Sequence, residues 1–444
     1  MSYRFTKEEL KELLFDFNSI ENVLPSNKPS KVCIWDETLR DGEQSPAVFL
    51  TIDEKIHLSK LLDEIGVKLI AVGFPAVSKS EKEIVKVLMK ENHNNAAILA
   101  VARPRKEDID ACIESDAKEI VIFMPISDFF IKMLKLTQEK ELEIITNGIT
   151  YAKDHGLKVN WVSEDCTRAQ LDHLLNVFKT AISAGAERIV IGDTVGVLTP
   201  YSTKFLVHQI MDKVLQNQNN IHLGIHCHDD FGVAVANTVT GVFEGCTYPH
   251  TCINGYGERA GNAALEEVVL LLERNGIKTG IKMDKLKELS ETTEKYFAQP
   301  LQLNKAVVGR YAFAHESGLH IAGILAHPLS YEPINPKMVG AQRKFYLGKG
   351  SGSKSIIHAI KEKLTTLDLK LPDISDEIIK KVVAEVKAKH EESSKEDIQN
   401  SFQIIKQELE KISTGVSDKD FFEIVNKYMQ PIAKEDDWFK KKEN

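Results

Sequence analysis

Short, β-rich apolar runs recur along the N-terminal part of the chain, and between them the apolar residues change to a helical spacing. The runs cover residues 31–38, 69–75, 96–102, 119–125, 158–165, 188–194, 222–229 and 249–258. Between them, series such as Ile56, Leu58, Leu61, Leu62 and Ile65, stopped by Gly66, predict amphipathic helices. Strands that alternate with helices pair in parallel. Eight such units in about 250 residues predict an α/β fold of the TIM (β/α)8 barrel type. An open doubly wound sheet would want a glycine-rich phosphate loop after its first strand. The sequence there, Asp36-Glu37-Thr38-Leu39-Arg40-Asp41-Gly42, is not one.

The pattern changes after residue 280. Residues 304–352 are rich in Gly, His and Pro and read as a functional connector rather than a helix. From Ser353 the chain is charged and helical in pattern, as over 355–364 and 378–390. The expected organisation is a barrel domain over 1–280, with 1–30 as an N-terminal helical extension. A linker subdomain over 281–352 and a C-terminal helical domain over 353–444 follow.

Polar residues gather at the C-terminal ends of the predicted strands, where barrels place their chemistry. Strand one ends in Asp36, Arg40 and Asp41, strand three at Arg103, strand five at Glu164 and Asp165, and strand six at Asp193 and Thr194. Strand seven ends in Gly224-Ile225-His226-Cys227-His228-Asp229-Asp230, and strand eight runs into Asn254 to Asn262. Surface decoration should not favour one rim on nearly every strand, so the clustering points to an enzyme. On a strand, i and i+2 share a face. His226 and His228 therefore present two imidazoles together, while Cys227 points away. Without a ligand they would be ordinary strand-end histidines. With Asp41 they form one carboxylate and two imidazoles, a set suited to a divalent cation with open positions for substrate. Arg40 could be the ion-pair partner of Asp41 in a loop or could stabilise an oxyanion. Glu164 could act on protons or orient a neighbour. His315 and His320 lie five apart in a Gly-containing loop, and Tyr331 reads as a packing aromatic.

Composition narrows the class further. Hydrophobic content of 43% and charged content of 27% are ordinary for a globular protein. A net charge of -8 argues against a general nucleic-acid binder. No apolar run approaches membrane-spanning length, and the N-terminus lacks the apolar core of a signal peptide. Six scattered cysteines without a Cys-x-x-Cys do not make a disulfide framework, so the expected compartment is a reducing cytoplasm.

Three segments together carry a resemblance: Asp36-Glu37-Thr38-Leu39-Arg40-Asp41-Gly42-Glu43-Gln44, the His-Cys-His-Asp-Asp run with Gly232 to Asn237, and Gly255 to Glu267. They resemble the signatures of the 2-isopropylmalate synthase, homocitrate synthase and citramalate synthase family, over residue 31 to about 352. The resemblance implies a TIM barrel that condenses acetyl-CoA with a 2-oxo acid. It also implies a divalent metal (Mg, Mn or Zn) that chelates the 2-oxo acid. By matching motifs, the metal ligands are Asp41, His226 and His228, with Asn262 as a weaker further ligand. Arg40 would stabilise developing negative charge, and Glu164, His320 and Tyr331 match the acid–base groups. In relatives the linker that carries His320 and Tyr331 reaches into a partner subunit's barrel, which implies a homodimer with shared active sites.

Homocitrate synthases similar to this family hold the distal carboxylate of 2-oxoglutarate with an Arg-x-Ser on strand five. The matching positions here are Asn160 and Val162, and an apolar wall suits an aliphatic tail better than an unpaired charge. Gly73-Phe74-Pro75 also looks more like 2-isopropylmalate synthase. The expected acid is 2-oxoisovalerate, with Phe74, Arg103, Asn160, Val162 and Thr194 around it; homocitrate, citramalate or a specialised alkylmalate-type synthase are the alternatives. Ala322 stands where the family usually has Asp, and Gly350 where it usually has His. Residues 353–444 lack the size and α/β pattern of the usual leucine-binding domain. Of the other classes, a lyase similar to 3-hydroxy-3-methylglutaryl-CoA lyase would want a Cys in the loop after strand eight, and Gly255-Tyr256-Gly257-Glu258-Arg259 has none. A non-catalytic acyl-CoA or metal-binding regulator would bind without turnover.

Overall fold

The computed structural model describes residues 6, 9–10, 13–218, 220–370, 372–392, 395–412 and 416–429. The N-terminal extension and the C-terminal tail lie partly outside these. Eight parallel strands close a barrel in chain order: β1 (Trp35–Asp36), β2 (Leu69–Gly73), β3 (Ala97–Ala102), β4 (Glu119–Pro125), β5 (Lys158–Glu164), β6 (Arg188–Asp193), β7 (His222–Cys227) and β8 (Tyr248–Thr251). The expected TIM barrel is therefore present. Helices between the strands form the outer layer, as in Ile52–Ile65, which opens with a capping box between Thr51 and Glu54. It stops at Gly66 in the left-handed region, φ 109°, where a Cβ would collide with the Gly280 carbonyl.

Alternation along the strands builds two cores. Outward residues such as Val159, Trp161, Ile189 and Ile191 pack under the helices. Inward residues, among them Trp35, Ala71, Leu99, Val101, Val121 and Val190, fill the barrel.

Two strands are shorter than the apolar runs suggested. Ahead of β1, Val32 hydrogen-bonds to Lys278 rather than to a neighbouring strand, so only Trp35 and Asp36 join the ladder. After β8 the chain turns at once through Ile253–Gly255, with Asn254 at φ 62°.

Beyond the barrel, a two-stranded sheet joins β9 (Ala314–His315) to β10 (Lys344–Phe345). The connector also contains a helix, Gly318–Ala326, which corrects its reading as non-helical. Ile321 and Ile324 bury one face of this helix, and the neighbouring glycines hid that spacing in the sequence. Helices Ser353–Thr366, Asp376–Glu392, Lys395–Ile412 and Asp418–Tyr428 follow, as the C-terminal pattern suggested. No helix among the described residues is long and apolar enough to cross a membrane.

Candidate active site

The C-terminal end of the barrel collects the polar groups singled out above. β7 delivers His226, and His228 follows one residue past its end. Their Nε2 atoms lie 3.3 Å apart. The turn after β1 brings Asp41 Oδ2 to 3.9 Å from each. Among the described residues, these three form a His/carboxylate group whose ligand atoms all lie within 4.8 Å of one another. All three side chains are buried. Burial and the neighbouring His228 hold the His226 imidazole well below its usual pKa, and burial lowers that of His228. Both rings are therefore neutral, with lone pairs to offer. Burial alone would raise the Asp41 carboxyl, but Arg40, His226, His228 and the Asn262 amide outweigh it and hold it at about 2.

A divalent cation fits these donors. Cis ligands with bonds of about 2.1 Å stand roughly 3 Å apart, close to the imidazole separation. Asn262 donates its amide to Asp41 and pairs across a backbone bridge with His228. Its buried Oδ1 has no hydrogen-bond partner and is free to serve as a further oxygen donor.

Arg40 lies beside this group. Its Nε donates to Glu37 at 2.8 Å and its Nη1 to Asp41 at 3.2 Å. Glu37 also faces Nδ1 of the buried His250 at 3.2 Å. Burial would raise the Glu37 carboxyl, but Arg40 and His250 bring it down to about 2. Sequence reasoning missed Glu37 and His250. Glu37 sits inside a motif already singled out, and His250 occupies an alternate, inward position of β8, so period-two bookkeeping could have found it.

A cavity of about 290 Å³ opens onto these groups, with Glu164 and Thr194 on its polar side and Val101, Val121, Phe123 and Val162 on its apolar side. The Glu164 carboxyl is raised by burial and by Asp165, against a smaller pull from Arg40. Gln44, Glu258 and Arg259 also line the cavity and were not foreseen. Arg259 pairs with Asp230 at 2.8 Å.

The remaining expected residues lie elsewhere. Phe74 stands behind the wall, edge-on to Phe123 at 5.9 Å, and Arg103 covers its ring while paired with Asp108 at 2.6 Å. Asn160 is placed differently from the expectation that it faces the substrate. It lies near the opposite end of the barrel, donating to Glu119 at 3.0 Å and accepting from Arg188 at 2.7 Å. β5 turns Asn160, Val162 and Glu164 to the same inner face, and only the last two reach the cavity. In the linker, His320 stacks on Tyr331 at 4.0 Å. Neither lines the cavity of its own barrel.

Residues 31–293 match the HMGL-like family model, and residues 307–394 match that of the homocitrate synthase post-HMGL domain. The chain is 43% identical to a 2-isopropylmalate synthase of Methanocaldococcus jannaschii over 389 residues, covering 86% of this chain and 71% of that protein. It is 40% identical to a homocitrate synthase of Methanothermobacter thermautotrophicus over 392 residues, covering 86% of this chain and 97% of that protein. Among solved structures, the HMG-CoA lyase of Bacillus subtilis superposes with a TM-score of 0.56 at 23% identity, covering 63% of this chain and 97% of that one. That likeness concerns the fold.

Proposed function

The chain belongs to the HMGL-like family, and on that premise we propose that it is an acyltransferase condensing acetyl-CoA with a 2-oxo acid, 2-oxoisovalerate being the preferred one. The products are then 2-isopropylmalate and CoA. The observation that carries this reading is the Asp41, His226 and His228 group set beside Arg40 and Glu164 on a cavity with one apolar wall.

Asp41 and the two neutral imidazoles would hold a divalent cation, with Asn262 as a further donor. When bound, that ion supplies Lewis acidity toward the keto and carboxylate oxygens of the 2-oxo acid. Arg40, fixed by Glu37, stabilises negative charge as it develops on the keto oxygen. Glu164, whose carboxyl burial holds above its ordinary value, is suited to exchange a proton near the keto group. Loss of a methyl proton turns acetyl-CoA into its enolate, whose carbon adds to the keto carbon. The electron pair of the C=O bond moves to oxygen, that alkoxide takes up a proton, and water then cleaves the thioester to a carboxylate and free CoA thiol. Val101, Val121, Phe123 and Val162 receive an uncharged alkyl tail, since a second carboxylate there would be buried against valines.

His320 and Tyr331 complete the acid–base set from the linker of a second copy, in a homodimer working in the cytoplasm. Residues 281–352 are then the shared segment. Mixing a His320→Ala chain with an Asp41→Ala chain tests this: mixed dimers should regain turnover. No regain after demonstrated chain exchange would reject it.

The experiment for the reaction itself is CoA release from acetyl-CoA with 2-oxoisovalerate, pyruvate, 2-oxoglutarate, oxaloacetate and longer aliphatic acids, each with and without chelator. Chelator-sensitive turnover, fastest with 2-oxoisovalerate, is expected. Preference for 2-oxoglutarate or pyruvate would favour the homocitrate or citramalate reading, which relatives of similar identity keep open. No turnover with any acid by folded, metal-loaded protein would overturn the condensation. The lyase alternative is weaker, because the synthases share 40% identity or more and the lyase 23%.

A further inference from the structure

Lys55 is a lysine with no exposed surface, buried beneath helix Ile52–Ile65 of the outer layer, and the mechanism makes no use of it. Lysine is almost never fully buried unless paired. Its Nζ lies 2.5 Å from Glu43 Oε2, 3.4 Å from Glu81 Oε1 and 3.5 Å from the Val72 carbonyl. Three ammonium protons thus face three acceptors, which is what a buried cation needs to offset its lost hydration.

The positions of those acceptors give the arrangement its meaning. Glu43 belongs to the turn Gly42–Gln44, directly after Asp41 and before the cavity residue Gln44. Its other oxygen accepts from Leu50 N at 3.0 Å, so the carboxylate also closes the loop that leads into helix Ile52–Ile65. Glu81 opens the next helix, Lys79–Lys90, and accepts from Phe74 N at 3.3 Å at the exit of β2. It is tucked so closely against Gly73 that a Cβ there would collide with it. Phe74 in turn backs Phe123, which lines the cavity. One ammonium therefore ties together two loops on the catalytic rim, one carrying Arg40 and Asp41 and one bracing the apolar wall.

We propose that Lys55 is a positioning residue that clamps the β1 and β2 exit loops, and so sets both the cation-binding geometry at Asp41 and the placement of the apolar wall. This rests on the reading of Asp41 as a cation ligand. Lys55 touches neither substrate nor cation. It acts through Glu43 on the turn that presents Asp41, and through Glu81 on the backbone that presents Phe74. Outer groups of this kind typically change metal affinity about 10- to 100-fold when removed.

The full chain is compared as wild type, Lys55→Met, Glu43→Gln and Glu81→Gln. Mn²⁺ binding is read by electron paramagnetic resonance, loop order by amide hydrogen exchange and folding by thermal unfolding. Lys55→Met should unfold cooperatively, exchange faster over 41–50 and 73–78, bind Mn²⁺ at least about tenfold more weakly, and lose kcat more than it gains KM. Glu81→Gln keeps the Glu43 pair, so exchange should rise over 73–78 with a smaller loss of Mn²⁺ affinity. A Lys55→Met chain that is merely less heat-stable, with wild-type Mn²⁺ affinity and wild-type exchange over 41–50, would overturn the proposal. Should that variant not fold, Glu43→Gln carries the same test, and wild-type Mn²⁺ affinity in it would be equally decisive. If the wild-type chain itself binds no Mn²⁺, the metal reading fails separately. Exchange over 41–50 then decides alone, and an unchanged rate in folded Lys55→Met rejects the clamp.

Discussion

The two ends of the barrel interior carry polar clusters, one from the starts of β4, β5 and β6 and one from the turn after β1 and the end of β7, and they are built oppositely. At the N-terminal end, Glu119, Asn160 and Arg188 bond one another at 2.5 to 3.0 Å, and the Arg188 guanidinium lies 4.7 Å over the Tyr248 ring. Charge meets charge, an aromatic ring covers the cation, and the one buried atom of the three side chains without a partner, Arg188 Nε, is a donor with no lone pair to offer. At the C-terminal end, Asp41, His226 and His228 stand 3.3 to 3.9 Å apart with neutral rings. Asn262 Oδ1 is buried without a hydrogen-bond partner, and a cavity opens onto Asp41 and the two imidazoles. Buried polar groups are normally satisfied. Where they have partners in the chain they serve the fold. Where lone pairs converge on a space, they are set for something the chain does not contain.

Two substitutions test that contrast directly, and the first should have the larger effect. Asp41→Asn keeps the shape of the upper cluster but removes the carboxylate. Turnover should fall by at least about 10²- to 10³-fold, while metal-free stability should fall by on the order of 2 kcal/mol, the linkage worth of a carboxyl held at about 2. Arg188→Met does the reverse. It leaves Glu119 without its cation and should cost about 3–5 kcal/mol of stability, with kcat of the folded fraction within a few-fold of wild type. Denaturant unfolding and CoA release on both variants check the pair. An Arg188→Met chain of normal stability but dead activity would break the division between the ends.

The contrast also explains what the sequence could show. The strands, their order and the rim that gathers the polar groups were legible, because period two and period 3.6 record which face of each element is buried. The metal-binding candidates were legible because three of them sit in short local motifs. Depth along a strand was not. Asn160, Val162 and Glu164 are equivalent by alternation, yet one lies in the lower cluster, one in the apolar wall and one on the rim. Depth depends on register and barrel shear, set by neighbouring strands (Asn160 pairs with Val121, Val162 with Phe123). Likewise Val101, Val121 and Phe123 come from different strands, and no local pattern joins them.

Depth therefore predicts selectivity. Val162→Leu narrows the cavity and should shift the ratio of kcat/KM between 2-oxoisovalerate and pyruvate toward pyruvate by about 10-fold or more, the usual worth of a methylene in an apolar pocket. Asn160→Ser should leave that ratio unchanged and lower stability instead. A selectivity change in Asn160→Ser with none in Val162→Leu would return Asn160 to the substrate.

Glu266 is an intermediate case and should give the smallest effect. It is buried at the upper end, its Oε2 accepts from Asn254 N at 3.1 Å, and its Oε1 has no hydrogen-bond partner. Burial raises its carboxyl to about 7, against a weaker pull from Lys305, which lies 3.9 Å away and 2.6 Å from Glu267. Between its ordinary value near 4.5 and about 7, the folded chain keeps a proton that the unfolded chain has lost. Stability from this group is thus highest at low pH and declines as pH rises through that window, with the penalty complete above it. Glu266→Gln keeps the acceptor for Asn254 and cannot ionise. It should stabilise the chain by on the order of 1–3 kcal/mol at pH 8 and by under about 1 kcal/mol at pH 5. The pair of unfolding curves at the two pH values gives the answer as a difference, to which Asp36 adds in the same direction: its carboxyl is raised to about 8, mainly by burial and in part by the Glu266 charge that the variant removes. Equal stabilisation at both pH values would mean that packing, rather than a buried charge, is what Glu266 costs the upper end of the barrel.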